Sequence, residues 1–190
     1  MNKSKRNRLN LGKEVMIATC LAVIIMFVSC GKDKNSDKLK VGQEHEGGII
    51  AYIDATGKHG LIAAKQDQSI GIIWYKQDLG TFATGAVGTE IWTGQSNTEK
   101  IVEKQGEGEY AARLCYDLVL NGYDDWFLPS IDELDELYKN REKIGGFVST
   151  SKYWSSSEGG YNGAFYKDFG GGGGNLHKAE AARVRAVRYF

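Results

Sequence analysis

The chain has 190 residues, enough for one domain of ordinary size and short appendages. It carries 24 Lys and Arg residues against 24 Asp and Glu residues, and this neutral balance argues against a nucleic-acid partner, which normally requires a basic excess. Hydrophobic residues make up 42% and charged residues 25%, as in globular proteins, and the 25 glycines follow no three-residue period, which excludes a collagen helix.

The N-terminal segment has the layout of a bacterial export signal. Five basic residues near the start precede Val15–Val28, an uninterrupted run of apolar and small residues. In a helix this run would span about 21 Å, which is short of the roughly 30 Å hydrocarbon core of a membrane. We therefore predict a signal peptide over residues 1–29 rather than a transmembrane anchor.

The end of the apolar run resembles the lipobox of bacterial lipoproteins, in which a cysteine becomes the lipidated first residue of the mature chain. Ser29 precedes Cys30, and a polar stretch follows. We predict a lipid anchor that includes palmitate at Cys30, a flexible tether over 30–40 and a single domain over 41–190. Acyl chains would hold such a protein at the outer membrane or the cell surface. The alternative is an ordinary signal peptide with an incidental cysteine.

The first part of the domain is predicted to be rich in β-structure. Gly47–Asp54 and Gly60–Ala64 are rich in β-branched and apolar residues and flank a turn-rich stretch, which predicts a β-hairpin. Ile70–Tyr75 is a further strand candidate. Residues 81–94 are rich in Gly and Thr and predict an irregular segment.

A first helical region is predicted in two pieces. The residues from Ser96 to Glu99 fit a capping box with Ser96 as the N-cap, which predicts a helix over 97–105. After two interrupting glycines, apolar residues recur with helical spacing and predict a second piece. The members of this stripe are Ala111, Leu114, Cys115 and Leu118, and the cysteine is expected to be a buried core residue.

A second helix and a set of strands complete the pattern. Trp126–Leu128 predicts a short buried strand, and a second capping box at Ser130 to Glu133 predicts a helix over 131–140. The remaining strand candidates are residues 152–156, 164–169 and 183–189, and the five glycines of 170–174 predict a loop. This order of elements predicts an α+β fold with both ends of the domain in a sheet.

Three separated blocks carry a resemblance to a known family. They are AARLCYDLVLNGYDDWFLPSIDEL, then KYWSSS, then the terminal AVRYF. In this order the blocks resemble the Lcl C-terminal domain family, which is named for a domain of a collagen-like bacterial adhesin. The resemblance covers roughly residues 111–190. The sequence departs from the family pattern at Phe127, where Arg is usual, and at Ala186, where Cys is common.

The resemblance implies a C-type-lectin-like fold, with two helices packed on a mostly antiparallel, twisted sheet that carries long irregular loops. Domains of this fold bind sugars, proteins or other ligands. Members related to formylglycine-generating enzymes need paired cysteines, and only Cys115 lies within the predicted domain. The chain also lacks a Gly-x-Ser-x-Gly turn and a phosphate-binding loop. We therefore expect no enzymatic activity.

The candidate ligand-binding surface is the stretch 159–177, which mixes aromatic and polar side chains with many glycines, a composition typical of recognition surfaces. The candidate residues are Trp154, Tyr161, Asn162, Tyr166, Lys167, Asp168, Asn175, His177, Arg183 and Arg185. The alternative is a hairpin with a floppy loop, in which Phe165 and Phe169 face the core. Arg183 and Arg185 share one face of a strand and are expected to pair with the acids of the second helix.

A weaker candidate is a calcium site at Asn121, Asp124 and Asp125, which place three oxygen-bearing side chains within five residues. We favour the alternative of an Asx-type turn that presents Trp126 to the core. No other cofactor is expected. The acids at positions 132, 133, 135 and 136 are interpreted as a capping box and a solvated helix face.

These patterns together predict an exported, lipid-anchored domain of adhesion type that binds a glycan or protein ligand through its C-terminal loops. One alternative is a surface receptor diversified by a retroelement, because such elements randomise residues near the C-terminus of lectin-fold lipoproteins. The other is a structural or assembly subunit of the cell envelope. No nucleic-acid partner is expected, and contact with the membrane would occur through the lipid.

Overall fold

Two sheets and four α-helices form the α+β fold of residues 38–190, the part of the chain that this computed structural model describes. The predicted signal peptide, the lipidation site Cys30 and the tether up to residue 37 lie outside the described residues. The described residues form one unit by their internal contacts. Within residues 38–190, no helix has both the length and the apolar character needed to cross a membrane.

The first sheet is antiparallel and joins the start of the domain to its last strand. Its strands, in spatial order, are β1 (Glu44–His45), β2 (Gly48–Ile53), β3 (Gly60–Ala63) and β9 (Val187–Tyr189). The β2–β3 hairpin confirms the prediction from the sequence. Leu61 of β3 pairs with Tyr189 of β9, so both ends of the domain meet in this sheet, as predicted.

The second sheet is antiparallel except for one parallel pair, β5 with β8. Its strands, in spatial order, are β4 (Ser69–Ile72), β8 (Ala182–Val184), β5 (Lys152–Glu158), β6 (Gly163–Asp168) and β7 (Gly173–His177). Because β7 includes two of the five consecutive glycines, the predicted loop over 170–174 is too long. The predicted strand over Ile70–Tyr75 is shifted, since β4 ends at Ile72.

The predicted strand over 183–189 is in fact two strands in different sheets. Ala186 lies between β8 and β9, and its backbone pairs with neither sheet as a strand. Its N–H donates to the Gln68 side chain, and its carbonyl accepts a hydrogen bond from the Ala64 N–H. The Arg185 side chain is buried in the same place. The chain therefore leaves the second sheet at Val184 and enters the first at Val187.

The helices are α1 (Gly94–Gln105), α2 (Ala111–Tyr116), α3 (Ile131–Lys139) and α4 (Arg141–Ile144), with a short 3₁₀ turn at Gln77–Leu79. The capping box of α3 is confirmed, because Ser130 and Glu133 exchange side-chain and backbone hydrogen bonds. The predicted box at Ser96 is wrong: α1 already begins at Gly94, where the Asn97 side chain ties its first turn to Gly88. The apolar pattern predicted a second helical piece as far as Leu118, but α2 ends at Tyr116.

The core has two clusters that meet at β3. Because neighbouring residues of a strand face opposite sides, Ile62 packs into one cluster and Leu61 into the other. The first cluster holds Trp74, Ile101 and Cys115, so the prediction of a buried cysteine is confirmed. Burial raises the pKa of the Cys115 thiol, which makes it a poor nucleophile.

Candidate functional site

The ten predicted ligand-binding residues do not form one surface. Trp154, Tyr166 and Gly174 are cross-strand neighbours and therefore lie on one face of the second sheet, which packs on the first core cluster. Trp154 is fully buried and donates its indole N–H to the Ile72 carbonyl at 2.8 Å. Trp154 therefore belongs to the core, and Tyr166 is partly buried against the same cluster.

Four of the predicted residues remain exposed at one end of the β6–β7 hairpin, and we call them the hairpin cluster. They are Tyr161, Asn162, Asn175 and His177. Tyr161 has 62% of its surface exposed. The Asn175 amide donates to the Gly159 carbonyl at 2.7 Å, which ties the edge strand to the turn before β6. A Cβ at Gly163 would lie 2.0 Å from the Asn175 Oδ1 atom, so a larger residue there would displace the Asn175 side chain.

Lys167 and Asp168 are occupied by contacts within the domain. The Lys167 ammonium lies 2.8 Å from the Asp135 carboxylate of α3 and 4.7 Å from the centre of the Tyr138 ring. The Asp168 carboxylate accepts a hydrogen bond from the Gly170 N–H at 2.8 Å, which closes the β6–β7 turn. These two residues fix β6 to α3 and shape the loop.

A buried ion pair supports the hairpin cluster from beneath. The Lys178 side chain is 0% exposed and that of Glu158 is 3% exposed. The Lys178 ammonium donates to Glu158, to the Phe82 carbonyl at 2.8 Å and to the Tyr161 carbonyl at 3.1 Å. All three N–H donors are thus used. Burial lowers the pKa of Lys178, and the bond to Glu158 opposes this effect.

The same pair holds the irregular segment before α1 against the hairpin. The Glu158 carboxylate accepts from the Thr84 N–H at 2.8 Å and from the Gly85 N–H at 3.0 Å. The Lys178 ammonium also lies 4.6 Å from the Trp74 ring centre. Sequence reasoning missed both residues, since no local pattern distinguishes a buried lysine from a solvated one.

Arg183 and Arg185 pair with Asp67, so the expected pairing with the acids of the second helix is wrong. Arg183 reaches the Asp67 carboxylate at 3.0 Å and Arg185 at 2.6 Å. Arg185 also donates to the backbone carbonyls of Ala64, Gly145 and Gly146. The chain turn between the sheets brings both guanidinium groups to the loop after β3 instead of to α3. Arg185 is buried and contributes no exposed surface.

The three candidate calcium ligands are directed to different partners. The Asn121 amide donates to the Gly47 carbonyl at 2.7 Å, and the Asp125 carboxylate accepts two hydrogen bonds from Arg188, at 2.6 and 2.9 Å. Asp124 and Asp125 both line a cleft of about 370 Å³. Within residues 38–190, no group of three or more His, Cys, Asp or Glu side chains is placed to hold a metal ion. Trp126 packs in the core, as the favoured interpretation expected.

Glu133, the acid of the confirmed capping box, is fully buried. Its partners are uncharged donors: the Ser130 N–H at 2.8 Å, the Trp92 N–H at 2.8 Å and the Tyr189 hydroxyl at 2.7 Å. A Cβ at Gly94 would lie 2.1 Å from its Oε2 atom, so only glycine fits there. Burial raises the pKa of Glu133, although the hydrogen bonds partly oppose this effect.

The raised pKa of Glu133 predicts a specific dependence of stability on pH. Because the folded chain binds this proton more tightly than the unfolded chain does, the contribution of Glu133 is fully present below its ordinary pKa and is lost as the pH rises through the folded value. Urea unfolding at a series of pH values from about 4 upward should show this decrease. Glu133→Gln should remove the decrease and cost about 1–3 kcal/mol through a mismatched hydrogen bond.

The exposed Glu99 of α1 provides the matched control for this experiment. Glu99→Gln should leave both the stability and its pH profile close to those of the parent chain. An unchanged pH profile in Glu133→Gln would contradict the assignment of the proton to this residue.

Comparison with known proteins gives two findings and one negative result. No curated protein matches the chain. A fimbrial protein from Bacteroides ovatus ATCC 8483 is similar in structure at 12% sequence identity and a TM-score of 0.49, and the alignment covers 80% of this chain and 45% of that chain. The sequence model of the Lcl C-terminal domain matches residues 64–188, which is more than half of the chain. The family indicated by the three sequence blocks is therefore confirmed, and the chain belongs to the Lcl C-terminal domain family.

Proposed function

We propose that the chain is an exported, lipid-anchored and non-catalytic domain of adhesion type that binds a glycan or protein ligand at the cell surface. Membership of a family named for a domain of an adhesin supports this proposal. We also propose that its α+β fold is of the C-type-lectin-like kind. Anchoring would occur through acyl chains on Cys30, in the outer membrane of the cell.

The hairpin cluster is the observation that carries the proposed binding role. Tyrosine, asparagine and histidine side chains offer a large apolar area and hydrogen-bonding groups at low entropic cost. Here they stand on a backbone that the buried ammonium of Lys178 holds from below, through the Tyr161 carbonyl. A ligand would therefore meet a surface whose main chain is already ordered, which lowers the entropic cost of binding.

A glycan array tests the proposal directly. The full chain, purified in detergent, is applied to an array that includes glycosaminoglycans, with calcium and with a chelator. We expect binding to at least one class of glycan, weakened about tenfold or more in the double variant Tyr161→Ala and His177→Ala, because both side chains are exposed in the cluster.

Ile70→Ala is the matched control, because Ile70 is 82% exposed on the strand at the opposite edge of the same sheet. It should bind like the parent chain. Binding that is equal in the double variant and the control would contradict the assignment to the hairpin cluster. A folded chain that binds no glycan would overturn the glycan ligand and favour a protein ligand or an assembly subunit.

A further inference from the structure

A shallow depression with aromatic walls lies on the first sheet, separate from the hairpin cluster on the second. Its volume is about 350 Å³. The residues that line it are Asp54, His59, Trp92, Tyr189 and Phe190. Asp54 and His59 come from the loop between β2 and β3, Tyr189 ends β9, and Trp92 belongs to the irregular segment before α1. Three distant parts of the chain therefore converge at this surface.

Trp92 is the most unusual residue of this depression. Its φ angle is 77°, a conformation that bulky residues rarely adopt, and 44% of its surface is exposed. The other three tryptophans, Trp74, Trp126 and Trp154, are buried. An exposed indole in an unfavourable backbone conformation persists only where the surroundings enforce it, and such outliers concentrate at binding sites.

The buried carboxylate of Glu133 enforces this conformation. Its Oε1 atom accepts hydrogen bonds from the backbone N–H of Trp92 at 2.8 Å and from the Tyr189 hydroxyl at 2.7 Å. One oxygen therefore fixes two residues of the depression. The Trp92 and Tyr189 ring centres are 5.0 Å apart, and Tyr52 meets the indole edge to face at 6.3 Å. The indole is thus held both through its backbone and through its ring.

Polar groups stand beside these rings. The Asp54 carboxylate accepts two bonds from Thr56 at its Oδ1 atom, and the bond from the Thr56 hydroxyl lowers its pKa. His59 is exposed on the same loop and supplies an imidazole that donates and accepts hydrogen bonds. An aromatic platform with a carboxylate and an imidazole at its edge can offer both apolar contact and hydrogen bonding to one small ligand.

We infer that this depression binds a neutral sugar unit, with the apolar face of a pyranose ring stacked on the Trp92 indole and its hydroxyl groups bonded to Asp54 and His59. We favour a sugar over a quaternary amine, because a quaternary amine would contact only the rings and the carboxylate. The hydroxyl groups of a sugar would also form hydrogen bonds with the imidazole. The inference goes beyond the proposed function, because it concerns another surface and names the ligand class.

Tryptophan fluorescence isolates the site, because all four tryptophans of the chain lie in the described residues and Trp92 alone among them is exposed. The full chain in detergent is titrated with acrylamide in the presence of neutral gluco-, galacto- and manno-oligosaccharides. At least one of these sugars should protect the accessible fluorescence from quenching. Trp92→Ala should remove the quenchable component and weaken calorimetric binding of that sugar about tenfold or more.

Two further variants keep the inference testable if Trp92→Ala disturbs the fold. Asp54→Asn changes a partly buried edge group without touching the aromatic rings and should weaken sugar binding several-fold. Tyr116→Ala removes an exposed aromatic ring elsewhere and should change nothing. The hairpin double variant should leave the protection of Trp92 intact. Failure of every neutral sugar to protect the indole, protection by choline instead, or equal sugar binding by Trp92→Ala would each overturn the inference.

Discussion

Replacement of Glu158 by Gln is expected to lower the free energy of unfolding by about 3–5 kcal/mol, because it leaves the Lys178 ammonium buried without its counter-charge. In the parent chain the Glu158 carboxylate also accepts from the backbone N–H groups of Thr84 and Gly85. The amide of the variant places an N–H donor near these donors, where no hydrogen bond can form. The loss is best measured by urea unfolding, since guanidinium is itself a salt and screens charges.

The double-mutant cycle separates the pair from its surroundings. Lys178→Met alone leaves the carboxylate buried, but its backbone donors remain, so its cost should be smaller than that of Glu158→Gln. The double variant should lose less than the sum of the single losses, because neither charge is then left alone. Glu107→Gln is the matched control: Glu107 pairs with Arg113 at the surface, and its loss should cost about 1 kcal/mol or less. A loss that small in Glu158→Gln would refute the role of the buried pair.

Replacement of Asp67 by Ala is expected to have the second large effect, again about 3–5 kcal/mol, because it leaves the fully buried Arg185 guanidinium without its carboxylate. It also removes the acceptor of Arg183 and of the Tyr153 hydroxyl, which donates at 2.9 Å. Burial, together with the adjacent Asp67, raises the pKa of Tyr153 to about 12. Urea unfolding followed by far-ultraviolet circular dichroism would measure the loss.

Asp117→Ala is the control for this experiment, because Asp117 also pairs with an arginine but is half exposed. Its loss should fall within about 1 kcal/mol. If Asp67→Ala were equally mild, the carbonyls around Arg185 would be sufficient to hold the charge, and the assigned importance of the carboxylate would be wrong.

Local sequence patterns were sufficient to predict the β2–β3 hairpin, the central residues of helices α1, α2 and α3, and the family. Local patterns also misled: Ser96 and Ser130 both begin a capping-box sequence, but only Ser130 caps a helix. The difference lies in a contact between α1 and the segment before it: the Asn97 side chain bonds both the N–H and the carbonyl of Gly88, and α1 begins at Gly94.

The candidate site was less predictable, because burial of charge depends on partners far away in the sequence. Asp67 and Arg185 are 118 positions apart, and neither has a neighbour in sequence that marks it as buried. Exposure of Tyr161 and His177 followed from their polar, glycine-rich surroundings. Trp92 had no such signal, because its conformation is imposed by Glu133 of α3, which is distant in sequence.

The passage of the chain from β8 in one sheet to β9 in the other has a consequence for the order of folding. Strand β9 closes the first sheet against β3, and β8 lies between β4 and β5 in the second. Neither sheet is complete until these late segments are available, so the pairings of β9 with β3 and of β8 with β4 and β5 join parts of the chain that are synthesised far apart in time. Closing such long loops makes folding slow and tied to release of the whole chain. We therefore expect both sheets of the nascent domain to remain incomplete until its last residues have been synthesised.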